Sequence, residues 1–258
     1  MRSVVGAAAA ALLLSGCATW SAYDGLDPRE PEPRDPGSRE ELVKLPADDI
    51  LDLLEGGLDA LESVTMTMTT NEAGEEVPES ITYELAADGR CRSVLAYPDF
   101  TATTVLDGAL VWIAAPEEFY TLVGYPDQEV DLIVEMLGDH EWLLMDRSAV
   151  APEDLLGPCP GLDDIRAIML EDIDFLRSEI VWSPRFTKVA GQTVLQIRAA
   201  DWSTDLEVYV EPDPPYRLLE SHQYGDEEFH IVYSDFDVDF EWEPPAEGDY
   251  ADFTAPPI

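Results

Sequence analysis

The sequence predicts an α+β fold, an antiparallel β-meander with helices packed on one face. Three observations predict it. Apolar residues recur at every second position through two groups of short stretches, the pattern of strands with one covered face. Three other stretches carry apolar residues at helical spacing. Their order is helix, strands, helices, strands, and not the strict alternation that builds parallel sheets.

The chain opens with one basic residue, Arg2, and an apolar run from Val4 to Leu14. A bilayer span needs about 20 apolar residues, so this run has the size of a signal-peptide core. Leu14-Ser15-Gly16-Cys17 follows directly and resembles a bacterial lipobox, in which a small-residue pair precedes a cysteine that becomes acylated and then the new amino terminus. The other readings are a secretory signal with a chance cysteine or a buried amino-terminal helix. The ordered sequence of charge, apolar run, small residues and cysteine favours a lipoprotein signal over residues 1–16 and lipidation of Cys17. No later stretch is long and apolar enough to span a membrane. The expected location is therefore the cell membrane, lipid-anchored on the extracytoplasmic face.

Residues 17–45 are rich in Pro, Asp and Glu, with Pro28, Pro31, Pro33 and Pro36 breaking any helix. They read as a disordered tether averaging on the order of 30 Å end to end. The folded domain is expected over 46–258.

Pro46–Glu62 reads as an amphipathic helix, with Ile50, Leu54, Leu58 and Leu61 on one face and Asp48, Asp52, Glu55, Asp59 and Glu62 on the other. Gly56-Gly57 weakens its middle by about 1 kcal/mol per glycine, enough to place a kink there. The period then becomes two. Val64, Met66 and Met68 alternate with threonines, Ile81, Tyr83 and Leu85 follow, and Cys91–Tyr97, Phe100–Leu106 and Leu110–Ala114 complete five strands. Asp107-Gly108 marks a hairpin between the last two. Helices follow at about Gln128–Gly138 and Asp163–Arg177, separated by Trp142-Leu143-Leu144-Met145 and the loop Gly157-Pro158-Cys159-Pro160-Gly161. Strands return at Thr187–Ala199, Leu206–Glu211, Tyr216–Gln223, Phe229–Ser234 and Phe236–Trp242.

The charge is extreme: 14 basic against 55 acidic residues, formally −41. Such a surface repels nucleic acid and anionic head groups, which excludes a nucleic-acid role. With 46% hydrophobic residues the chain is nonetheless able to bury a sizeable core. Asp235, Asp237, Asp239, Glu241 and Glu243 alternate with aromatic and aliphatic residues. A calcium loop would need Gly at its sixth position and Glu at its twelfth, where Phe240 and Ala246 stand. A strand with an acidic wet face fits better. His140, His222 and His230 show no metal-ligand spacing, and no nucleophile, metalloprotease or phosphate-loop motif occurs. No metal, no cofactor and no enzymatic activity are expected.

Several stretches resemble the LolA/LppX-type (LppX-LprAFG) bacterial lipoprotein family. Leu137-Gly138-Asp139-His140-Glu141-Trp142-Leu143 resembles the segment after that family's first lid helix, with acidic residues and a histidine replacing a Gly-Lys pair. Leu206–Leu219, with Pro214-Pro215-Tyr216-Arg217-Leu218, resembles a strand pair whose second strand opens on proline. Val232-Tyr233-Ser234-Asp235-Phe236, followed by Pro244-Pro245, resembles its closing strand and Pro-rich end. The likeness runs roughly from Pro46 to Phe253. It implies a strongly curved, half-open antiparallel sheet, an incomplete barrel covered by helices, enclosing an apolar cavity for lipids. The implied function is to bind or carry lipids or other hydrophobic small molecules. The alternative is a protein-interaction or envelope-sensing module that docks on a membrane-protein partner without a ligand.

Two groups of residues carry site expectations. If Cys17 is lipidated, Cys91 and Cys159 remain as an even pair outside the reducing cytoplasm. They form either a disulfide pinning the lid loop to a strand or two separate buried thiols, and the first is expected. Apart from Met1, the methionines all lie in the first strand or the helical middle: Met66, Met68, Met136, Met145 and Met169. By themselves they read as core filling. With the resemblance, Met66, Met68, Met136, Met169 and Ile173 become candidate cavity-lining residues, because methionine adapts to varied apolar ligands.

Overall fold

A computed structural model of the chain describes residues 37–70, 77–147, 159–178, 180–201, 203–225, 228–240 and 242–254. The signal segment, Cys17 and most of the proposed tether lie outside them. The tether expectation is corrected at its end. Arg39–Leu42 forms a short helix, α1, that buries Leu42 in the core, and Arg39 pairs with Asp213 through both carboxylate oxygens. One apolar residue and one bidentate ion pair thus attach the chain to the domain before Pro46.

Helix α2 (Ala47–Asp59) buries Ile50, Leu51, Leu54 and Leu58 and runs through Gly56-Gly57 without a break. The glycine at 57 serves proximity instead of bending. A Cβ there would stand 2.2 Å from the Pro215 carbonyl oxygen, so only glycine lets α2 approach the turn beneath it.

Five strands follow, β1 (Ser63–Thr70), β2 (Ser80–Ala86), β3 (Cys91–Ala96), β4 (Thr101–Asp107) and β5 (Leu110–Ala114), each antiparallel to the next. The short helix α3 (Glu117–Leu122), absent from the sequence reading, leads into α4 (Asp127–Leu137). Trp142–Asp146, left unassigned in the sequence, is strand β6 against β5. Its Leu143 enters the main core, while Leu144 packs with Val105 and Trp112 in a separate cluster. With apolar residues on both faces it shows no period-two pattern to read.

Helix α5 (Leu162–Ser178) precedes β7 (Ile180–Val189), β8 (Gln192–Ala200), β9 (Asp205–Val210), β10 (Leu218–Tyr224), β11 (Phe229–Ser234) and the short β12 (Tyr250–Asp252). The β7–β8 turn uses Ala190 and Gly191, both at positive φ, as a tight hairpin requires.

The twelve strands form one sheet in the order β12-β6-β5-β4-β3-β2-β1-β11-β10-β9-β8-β7, antiparallel except where β12 joins β6. Its ends do not pair, so the barrel is incomplete. Laid flat at about 4.8 Å per strand it would be more than ~50 Å wide. Residues of β1–β6 and β8–β11 nevertheless share one core cluster with α2 and α5, which requires the sheet to curve around those two helices. The helices are joined across their contact. Arg177 of α5 reaches Glu55 at 2.6 Å and Asp52 at 3.0 Å, and Arg166 donates to the Leu61 carbonyl.

The strand expected at Phe236–Trp242 is not one. Asp235 and Asp237 adopt positive φ and turn the chain off the end of β11. The Asp237 carboxylate accepts from the Glu62 backbone N–H at 2.8 Å and pairs with Arg217, while the Ser63 hydroxyl donates to the Val238 carbonyl at 2.7 Å. Trp242 donates its indole N–H to Glu84 at 3.1 Å. The segment is a strap across the end of β1, and Asp237 serves local hydrogen bonds there instead of a wet sheet face.

Candidate functional site

Helix α5 lies over the curved face of the sheet but does not fill it. A cavity of about 470 Å³ remains between α5 and the strands β1, β2, β10 and β11. This falls in the ~300–1,000 Å³ range of small-molecule sites. Strand alternation places its floor: Met66 and Met68 from β1, Tyr83 from β2, Ser221 and Gln223 from β10, Phe229 and Ile231 from β11. Pro160, Ile165, Ile168, Glu171 and Asp172 form its roof. A second cavity of about 210 Å³ shares Met68 and Phe229 with the first and continues toward Val77 and Pro78.

The roof is held at its start by a bond between Cys91 of β3 and Cys159, three residues before α5, with Cα atoms 5.6 Å apart. It is held further along by the arginine contacts to α2. Covalent and ionic attachment at different points of one helix leaves the space beneath it spanned but unfilled.

The methionine expectations divide. Met66 and Met68 line the cavity. Met169 and Ile173 belong to α5 but are buried in the core, at 0% and 1% exposure, and are absent from the cavity wall. The helix turns Ile165, Ile168 and Asp172 toward the cavity instead. Met136 stands on an exposed face of α4. The lining face of α5 is offset from the stripe that holds Met169 and Ile173.

One wall of the cavity is polar in a specific way. Asp172 projects from the apolar face of α5, and the Ser221 hydroxyl donates to its carboxylate. Its Oδ2 atom is buried without a hydrogen-bond partner among the described residues. Burial pushes the acid up to about 6, Ser221 opposes this, and the charge on Glu171 adds to it. The Tyr233 hydroxyl is likewise buried without a hydrogen-bond partner among the described residues, and burial together with Asp172 holds the phenol above its usual range. The cavity thus offers a long apolar trough with a desolvated carboxyl group on one side. It suits a molecule with an extended apolar body and one hydrogen-bonding group. Sequence reasoning missed Asp172 among so many acids. The available sign was its spacing, seven residues after Ile165 and four after Ile168, on an otherwise apolar stripe.

Among known structures the fold is similar to LprF of Mycobacterium bovis, at 12% identity over 78% of this chain and 97% of that one, with a TM-score of 0.42. It is also similar to the lipoprotein LppX of Mycobacterium tuberculosis, at 10% identity over 79% and 99% of the two chains, with a TM-score of 0.43. No family model matches the sequence, and no curated protein matches it. No helix among the described residues is long and apolar enough to cross a membrane.

Proposed function

We propose that this protein binds or carries lipids or other apolar molecules in the cavity beneath α5, as a lipoprotein anchored through Cys17 at the extracytoplasmic face of the cell membrane. The observation that carries the reading is the cavity of about 470 Å³, walled by Met66, Met68, Ile165, Ile168, Phe229 and Ile231. The trough is open to solvent on one side, and its size and apolar lining are those of a small-molecule site. A volume of this size lined by adaptable side chains is suited to an occupant.

The test is uptake of a fluorescent acyl probe by delipidated protein. Stoichiometric binding is expected, and Ile231→Trp, which fills the trough from the floor, should weaken it at least about 10-fold. Failure of the wild type to bind any acyl probe would favour the second reading, a module docking on a membrane partner. That reading has its own observation, the exposure of Leu132 and Met136 one turn apart on α4.

The anchor rests on the lipobox. Cys17→Ser should abolish lipidation and release the protein from membranes or leave the signal uncut. Fractionation and mass spectrometry check this, and unchanged processing with unchanged membrane attachment would contradict it.

A further inference from the structure

The face of the sheet turned away from the helices carries a cluster that the lipid-binding reading does not use. We propose that Glu220, His222 and His230 form a binding site for one divalent transition-metal ion of the zinc class. The register of β10 and β11 sets His222 directly opposite His230, with the ring centroids 3.9 Å apart. Glu220 precedes His222 by two residues and so shares its face. The Nε2 atoms of both histidines converge on the same carboxylate oxygen of Glu220, at 3.1 Å and 3.4 Å.

These separations are those of a coordination shell. A tetrahedral zinc ion with arms of about 2.0–2.1 Å spaces its ligands ~3.3–3.4 Å apart. One potential ligand atom from each residue lies within 4.8 Å of the others. The Nε2 of His230 is shielded from solvent, and its neighbour there is the Glu220 carboxylate oxygen at 3.4 Å, with no aligned hydrogen bond to it among the described residues. The surroundings also orient the rings. The Tyr224 hydroxyl stands 3.4 Å from Nδ1 of His222, and the Tyr209 ring meets His222 edge-on at 5.5 Å. Outer contacts of this kind hold metal-ligating histidines in position. Glu207 lies opposite His222 on β9, and the chain's formal charge of −41 favours any cation. Two imidazoles and one carboxylate select zinc, copper or nickel over calcium or magnesium, and three protein ligands leave a position for water. The sequence held one sign of this site. His222 and His230 are equidistant from Asp226, so a hairpin centred on that position sets them opposite each other.

The test uses tag-free full-length protein titrated with zinc in millimolar calcium and magnesium, which occupy adventitious carboxylates. One zinc ion per chain is expected. Since disturbing outer-shell partners already costs ~10–100-fold, removing a ligand by His222→Gln or His230→Gln should weaken binding at least ~100-fold. His140→Gln, remote in sequence and outside the cluster, should change nothing. Cobalt in place of zinc should give the visible absorption of a four-coordinate nitrogen and oxygen site, a readout on the wild type that depends on no variant. Equal zinc affinity in the wild type and the His222→Gln/His230→Gln double variant overturns the proposal, as does cobalt absorption indistinguishable from the aqueous ion.

Discussion

Replacing Cys91 and Cys159 together by serine is expected to destabilise the folded domain by about 4 kcal/mol in the chain-entropy model, because their bond closes a loop with a sequence separation of 68 residues. The loop contains β4, β5, β6, α3 and α4, and its far end leads into α5. Opening it therefore frees the roof of the cavity as well as the unfolded chain, and acyl-probe binding should fall with stability. Urea denaturation of the oxidised wild type, the reduced wild type and the double variant measures the effect. The reduced protein should match the variant. A double variant within ~1 kcal/mol of the oxidised wild type, or two titratable thiols in the native protein, would show that the bond does not contribute in this way.

Asp172→Asn is expected to stabilise the domain at pH 7.5 by up to roughly 3 kcal/mol and to flatten part of its pH dependence. The sign follows from the raised acid. Between about pH 4 and pH 6 the folded state holds a proton on Asp172 that the unfolded chain has released, so stability falls as pH rises through that window. Above about 6 the carboxylate is charged and buried, and a shift of about two units corresponds to roughly 3 kcal/mol at most. Asparagine removes this cost and still accepts from Ser221. A chain of this acidity also gains stability on acidification through relief of general repulsion. The informative quantity is thus the difference between wild type and variant, measured by denaturation at several pH values. Parallel stability curves for the two proteins from pH 4 to pH 8 would mean that Asp172 is not desolvated. A ligand that covers Asp172 excludes water further, so uptake of apolar molecules should also strengthen as pH falls below about 6.

Most of the sheet was legible because one face of each strand is covered. The helix-facing residues Val64 and Met66 in β1, Tyr83 and Leu85 in β2, and Leu206, Val208 and Val210 in β9 sit at every second position. Legibility failed where that asymmetry failed. Leu143 and Leu144 are buried on opposite faces of β6, so Trp142–Asp146 carried no alternation. In 236–242 alternation was present without a sheet, since Asp237 accepts from the Glu62 backbone N–H, pairs with Arg217 and sits at a positive φ that turns the chain at the end of β1. The cavity was half legible. Met66 and Met68 were readable because strand alternation fixes their side. On α5 an apolar stripe does not say which of its edges is packed and which is open, so Met169 and Ile173 could not be told apart from Ile165 and Ile168. Asp172, the Ser221 hydroxyl and the His222–His230 pair were missed for one shared reason: each acquires its meaning from a neighbour distant in sequence or across a hairpin register.

The most direct test of the central claim is native mass spectrometry of the full-length protein released gently from its own membranes. A population carrying one apolar molecule per chain is expected, removed by solvent extraction and strongly reduced in Ile231→Trp. Protein that carries only its anchor mass, in both wild type and variant, and that takes up no lipid when one is offered, would contradict it.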